Sequence, residues 1–157
     1  MKRQRSNSIP YVLAAVALAL ASCNRLPIYN HYQHISLQGW QQDDSLHFVV
    51  PVEQAGTYQV LVNIRATSIY PYTQLTLDVH QNKPENYSER VCIDITDDKG
   101  NLKTGSNTFC DYSIPLHDVV ATADADTIDI AIAHNMSREL LPGIADIGIA
   151  VERRSAD

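Results

Sequence analysis

The side chains able to do chemistry in this sequence are six histidines, three cysteines and acidic residues in predicted turns. No H-E-x-x-H pair occurs, and no Cys or His cluster has zinc spacing. A G-x-S-x-G nucleophile turn and a phosphate-binding glycine loop are also absent from the sequence. Because neither paired catalytic acids nor a nucleophile with its base can be located, we predict a protein that is not an enzyme and needs no cofactor.

Asp94, Thr96 and Asp98 have the spacing that begins a calcium-binding loop. Such a loop needs a glycine at its sharp turn and a bidentate glutamate at its end. Lys99 and Gly105 occupy these two positions here. We therefore predict no metal site.

Binding residues are easier to nominate than catalytic ones. Tyr70-Pro71-Tyr72 carries two rings around a proline that fixes the loop, and we expect exposed rings there to contact a partner or stack on a sugar. Arg65 precedes this loop on a polar strand face and can offer a bidentate contact to a carboxylate. For Trp40, core packing is favoured over such a role. His134 ends an apolar strand, where a hydrogen-bonded structural histidine is favoured over a ligand or base.

The first 23 residues have the layout of an export signal. Basic and polar residues come first, and an unbroken apolar run follows from Tyr11 to Ala21. This run is too short to span a bilayer. Leu20-Ala21-Ser22-Cys23 resembles the lipobox of bacterial lipoproteins, so we predict a signal peptide over 1–22 and lipidation of Cys23. Several acyl chains, palmitate among them, would make the membrane attachment stable, at about 0.8 kcal/mol per buried methylene.

Residues 23–33 are interpreted as the lipidated N-terminus and a short tether. No acidic run follows Cys23, and such a run is typical of surface-exported lipoproteins of the Bacteroidetes type. We therefore expect an outer-membrane lipoprotein that faces the periplasm, with exposure at the cell surface as the alternative.

Charge excludes one class of partner. All 18 acidic residues follow the predicted signal, whereas three of the 12 basic residues lie within it, which leaves 9 − 18 = −9 for the mature part. Nucleic acid needs a basic surface, so we predict no nucleic-acid partner.

From residue 46 onward, apolar residues recur at every second position between turn-forming residues. This period predicts strands near 46–52, 58–64, 75–79, 91–95, 108–116, 127–134 and 145–151, and one helical turn over 137–141. Seven or eight strands with one apolar face each must pack as two sheets. We predict one domain over 34–157, an all-β antiparallel sandwich of the jelly-roll or immunoglobulin-like kind.

Cys92 and Cys110 are the remaining cysteines of the mature part, and the export signal sends them to an oxidising compartment. They are spaced symmetrically about Asn101, in a segment that we interpret as a hairpin tip. Such a hairpin would set them opposite each other, so a disulfide is predicted, against the alternative of two buried thiols. One feature disagrees, because Cys92 falls on the polar side of its strand.

Several segments together resemble the GldH family of gliding-motility lipoproteins. The likeness includes Tyr32 to Trp40, Arg65 leading to Tyr70-Pro71-Tyr72, and above all a C-terminal string with His134-Asn135-Met136, Gly143-Ile144 and Asp146-Ile147-Gly148. The resemblance implies a small non-enzymatic lipoprotein of the gliding apparatus, linked to the protein-secretion machine on which gliding depends.

We accordingly expect a lipid-anchored sandwich that works in an envelope assembly with other envelope proteins. Its expected contact surface consists of Arg65, Tyr70, Tyr72, His134, Met136 and Asp146. The alternative is a carbohydrate-binding lipoprotein that serves glycan uptake through its aromatic loops.

Overall fold

The computed structural model describes residues 27–97, 99, 101–102, 108–122 and 126–154. These residues contain no α-helix, so none that could cross a bilayer. They form ten strands, all paired antiparallel: β1 Tyr29–His34, β2 Trp40–Gln41, β3 Leu46–Val52, β4 Gly56–Thr67, β5 Gln74–Lys83, β6 Tyr87–Asp94, β7 Phe109–Ala121, β8 Asp126–His134, β9 Leu140–Leu141 and β10 Ile144–Arg153.

The described residues form two four-stranded sheets and a short two-stranded ribbon. The first sheet has the order β1-β10-β4-β7, the second sheet β3-β8-β5-β6, and β2 pairs with β9. Eight of the strands in the described part are longer than two residues, and the predicted antiparallel all-β sandwich is confirmed.

The core lies between the two sheets because alternate residues of each long strand are apolar. In β3 the buried and exposed positions alternate without a break, and in β4 the inward residues from Tyr58 to Ala66 are almost fully buried. Ile128, Ile130 and Ile132 cover the second sheet from β8. This period-2 burial is the physical reason that the sequence pattern located these strands.

Three local predictions need correction. The helical turn predicted over 137–141 does not form, and β9 lies there instead, paired with β2. The segment interpreted as a tether up to residue 33 is a strand from Tyr29 onward, because β1 pairs along β10. Cys23 and the predicted signal lie outside the described residues.

The prediction of a hairpin and a disulfide that bring Cys92 and Cys110 together is also wrong. Cys92 lies on β6 opposite Thr76 of the second sheet, whereas Cys110 lies on β7 opposite Ala66 of the first sheet. Cys92 is exposed and Cys110 is fully buried, and no disulfide joins these two described residues. The turn that follows β6 closes on itself instead, since the Asp97 N–H donates to the Asn101 carbonyl.

Candidate functional site

Four strands of the first sheet each contribute one polar residue to a single row on its outer face. The cross-strand register sets His34 of β1 beside Asp146 of β10, Asp146 beside Arg65 of β4, and Arg65 beside Asp111 of β7. We call these four residues the Arg65 row. Arg65 and Asp146 were nominated from the sequence, and the structure brings them into contact.

Ion pairs and hydrogen bonds run along the whole row. The Arg65 Nε donates to Asp111 Oδ1 at 2.8 Å, and its Nη1 contacts Asp146 Oδ2 at 3.4 Å. His34 Nδ1 lies 2.9 Å from the other Asp146 carboxylate oxygen. The hydrogen bond to Asp111 raises the pKa of the Arg65 guanidinium above its ordinary value. The arginine is thus held in place while 42% of its side-chain surface stays accessible.

Asp146 faces outward because β10 contains a bulge. The register against β4 shifts between Ile144 and Asp146, so one additional residue, Ala145, is accommodated there. The shift lets Ile144 and Ile147 both point into the core although their numbers differ by three. Asp146 is consequently directed outward to the row from a strand whose inward residues are all apolar.

The row beside it consists of Tyr32, Gly148, Asn63 and Ser113. A Cβ on Gly148 would lie 2.7 Å from Tyr32 Cδ1, so only glycine lets the ring lie this close to β10. The Arg65 guanidinium carbon lies 6.0 Å from the centre of the same ring, at the limit of a cation–π contact. Asn63 and Ala150 are nearly buried beneath these larger neighbours although they belong to the outer face. The result is a flat patch with charges on one side and small residues in the middle.

Three of the four remaining nominated residues, Tyr70, His134 and Met136, belong to a different region. We call Trp40, Tyr70, His134, Met136 and Gly143 the buried junction. Trp40 and His134 are 1% and 2% exposed and meet edge to face, with ring centres 5.2 Å apart. The Thr67 N–H donates to the Gly143 carbonyl at 2.8 Å, which fastens the 142–143 turn to the end of β4.

His134 was nominated for the contact surface, but it is buried and hydrogen-bonded at the end of its apolar strand, so that nomination is wrong. Its Nε2 lies 3.0 Å from the Trp40 carbonyl, and its Nδ1 lies 3.4 Å from the Met136 N–H. One nitrogen must therefore donate and the other accept, which is the neutral imidazole. Burial lowers the pKa of His134, and the hydrogen bond to the Trp40 carbonyl opposes that shift in part.

The expectation of exposed rings around Pro71 is wrong for Tyr70. Its side chain is 5% exposed, its hydroxyl donates to the Gln74 carbonyl, and burial raises the pKa of this phenol. Tyr72 is half-buried and meets Tyr70 edge to face at 5.9 Å. Trp40 lies in the core as favoured, so neither Trp40 nor Tyr70 can stack on a sugar.

Three residues of the outer face were not nominated from the sequence. His34, Asp111 and Tyr32 join Arg65 and Asp146 only because β1 and β7 flank the pair of β10 and β4. Strand periodicity predicts which residues share a face of one strand, but it does not predict the order of strands in a sheet. No signal in the sequence alone could have placed β1 beside β10.

Catalytic chemistry has little support elsewhere in the described part of the chain. His80 Nδ1 lies 2.8 Å from Ser88 Oγ on the outer face of the second sheet, and Asp78 lies two residues away on the same strand. The Asp78 carboxylate accepts hydrogen bonds from Arg90 and Asn135, which lower its pKa with Arg90 as the main cause. It therefore does not orient His80, and the pair lies on an open sheet surface. Within the described ranges no three His, Cys, Asp or Glu side chains cluster so as to hold a metal ion.

Fold and site together define an antiparallel β-sandwich domain that presents a flat, ion-paired face. The chain belongs to the GldH lipoprotein family, because the model of that family matches residues 27–151. This membership makes it a membrane-anchored lipoprotein. The gliding motility lipoprotein GldH of Flavobacterium johnsoniae is 27% identical over 79 residues, which is 50% of this chain and 49% of that protein. The match thus spans about half the length of this curated relative.

Solved structures of related shape are more distant. A family 35 carbohydrate-binding module from Clostridium thermocellum has a TM-score of 0.42 and 22% identity over 84% of this chain and 95% of the module. Latent PorU from Porphyromonas gingivalis has a TM-score of 0.38 and 10% identity over 85% of this chain and 14% of PorU.

Proposed function

We propose that this protein is a non-enzymatic component of an envelope assembly that serves gliding motility and the associated protein secretion. In this proposal, lipid on Cys23 holds it in the outer membrane with the domain in the periplasm. The outer face of the first sheet binds another envelope protein, and the Arg65 row is the main part of this contact surface. Family membership supports the general role, and the geometry of the face supports the binding mode.

The single observation that carries the binding mode is the Arg65 row itself. The Arg65 guanidinium lies between the carboxylates of Asp111 and Asp146, His34 contacts Asp146, and a large part of Arg65, His34 and Asp111 stays accessible. An exposed ion pair contributes only about 0–1 kcal/mol to folding, so stability does not account for such a row. Preoriented charges beside an aromatic ring are typical of the residues that dominate binding energy in protein interfaces.

The position of β1 supports an arrangement on a membrane. The described chain enters the fold at Pro27 and pairs from Tyr29, so Cys23 is separated from the sheet by a few residues. Five residues span at most about 18 Å when fully extended. Because His34 and the Arg65 row lie at the far end of β1, the face is presented away from the anchor.

Affinity purification of the tagged full chain from its own envelope, with crosslinking and mass spectrometry, tests the proposal. We expect components of the gliding or secretion machinery to be recovered, and a strain without the gene to lose gliding or secreted cargo proteins. Recovery of glycan-uptake proteins instead, together with binding on a glycan array, would favour the carbohydrate-binding alternative. A deletion strain that is normal in both gliding and secretion contradicts the proposal.

A further inference from the structure

Among the described residues, the two sheets have four edge strands, and only one of these has no feature that prevents further strand pairing. Pro51 lies in β3, and β7 contains Pro115 with a register shift beside it. In β6 the charged residues Glu89 and Arg90 lie side by side. Prolines, bulges and charges are the devices by which proteins protect sheet edges. The described edge β1, with the sequence Tyr-Asn-His-Tyr-Gln-His, has none of them.

The backbone of β1 offers hydrogen-bonding groups to this open edge. The Ile35 N–H donates to the Ala145 carbonyl, which marks the odd-numbered residues of β1 as those bonded to β10. Asn30, Tyr32 and His34 therefore direct their N–H and C=O groups away from the sheet. No strand among the described residues pairs with them there.

Tyr32 does not block this edge. Its ring lies close to Gly148, and the Arg65 guanidinium carbon lies 6.0 Å from the ring centre, so the ring points back across the first sheet. The absence of a side chain at Gly148 makes this position available. A further strand can consequently approach the backbone at residue 32 without displacing the ring.

Charge argues for a second copy of this chain as the occupant. The mature part carries 18 acidic against 9 basic residues, so most surfaces of two copies repel each other. β1 holds no Asp, Glu, Lys or Arg, and two β1 strands can align without placing like charges opposite each other. Of the other edge strands described here, β3 also lacks these four residue types but contains Pro51, and β6 and β7 carry charges.

We propose that β1 is a self-pairing edge, at which two copies of the chain align their β1 strands antiparallel and continue the first sheet through a two-fold axis. The register centred on Tyr32 is the one that uses all three open-edge residues. It places Tyr32 opposite Tyr32 of the second copy and Asn30 opposite His34, with roughly six backbone hydrogen bonds between the strands. Asn30 and His34 can also donate to and accept from each other through their side chains.

Cysteine crosslinking of the full chain in its membrane tests both the pairing and its register. Exposed Cys92 is first replaced by Cys92→Ser, and single cysteines are then introduced under mild oxidation. Directly opposed residues have Cα atoms about 5.5 Å apart, which a disulfide can bridge. Tyr32→Cys should therefore form a self-linked dimer, whereas Asn30→Cys should do so only when it is mixed with His34→Cys.

Leu37→Cys is the matched control, because Leu37 is 94% exposed in the turn after β1 but lies off the paired edge. We expect about tenfold more self-linked product at position 32 than at position 37, since pairing raises the local thiol concentration. Equal crosslinking at positions 30, 32 and 37 would indicate random collision and overturn the proposal. So would the absence of a dimer at position 32, or exclusive crosslinking of that cysteine to another protein.

Discussion

The Arg65 row and the buried junction lie at the same ends of β4 and β10, yet opposite physical rules govern them. The row is made of charges that stay partly accessible, and exposed ion pairs of this kind add little to stability. The junction contains Trp40, Tyr70 and His134, all nearly buried, with their polar atoms bonded to backbone groups. We conclude that the junction holds the strand ends in place, whereas the row stays accessible at the surface.

The largest expected effect is the removal of the central ring of the junction. Trp40→Ala deletes a side chain that is 1% exposed, donates to the Asp44 carbonyl and packs against His134. We expect a loss of about 3–5 kcal/mol in the free energy of unfolding, measured by denaturant titration. Tyr32→Ala is the control on the outer face and should cost far less, because Tyr32 is 41% exposed. Equal losses would contradict the division into two regions.

A smaller loss is expected at the turn that joins the junction to β4. Gly143 has φ of +87°, and a Cβ there would collide with the backbone N and Cα of Tyr70. Gly143→Ala should therefore destabilise the fold by about 1–3 kcal/mol, seen as a lower denaturation midpoint. An unchanged midpoint would show that the 142–143 turn does not fix the strand ends.

The junction should also make stability depend on pH. Burial holds the folded-state pKa of His134 below its ordinary value of 6.5, so the unfolded chain binds this proton more readily. The contribution of His134 is complete above pH 6.5 and is lost as the pH falls toward the lower folded-state pKa. Denaturation midpoints between neutral and mildly acidic pH check this expectation. His134→Gln can still donate to the Trp40 carbonyl but does not titrate, so it should flatten the pH dependence; an unchanged slope would assign it to other groups.

The smallest effect on stability is expected in the Arg65 row. Arg65→Ala removes two ion pairs that solvent screens, so the free energy of unfolding should change by only about 0–1 kcal/mol. Thermal and denaturant unfolding of the purified variant measure this change. A loss as large as that of Trp40→Ala would mean that the row is part of the structural framework.

Periodicity and topology differ in how far the sequence determines them. The alternation of apolar residues in β3, β4 and β8 predicted these strands and the sandwich, because burial repeats with the same period of two. The order of the strands depends on long-range packing, so the sequence did not place β6 and β7 in different sheets. For the same reason it wrongly paired Cys92 with Cys110, and it could not bring His34 and Asp111 to Arg65.

Among the nominated residues, the sequence could not separate Arg65 and Asp146, which lie on the outer face, from Tyr70 and His134, which are buried. Residues that pack a turn and residues that bind a partner have the same types and lie in the same segments. Only burial distinguishes them, and burial at a loop depends on which turn covers it. Here the 142–143 turn covers Tyr70 through its contact with Gly143.

The most direct test of the central claim compares two charge reversals on opposite faces of the sandwich. Arg65→Glu changes the Arg65 row, and Arg90→Glu is its match, because Arg90 is exposed and paired with Asp78 on the second sheet. Each full-length variant is purified with a tag from its own crosslinked envelope, and the recovered partners are quantified. We predict that Arg65→Glu lowers partner recovery by about tenfold or more and that Arg90→Glu leaves it nearly unchanged. Equal recovery with both variants would contradict the assignment of the Arg65 row as the binding face.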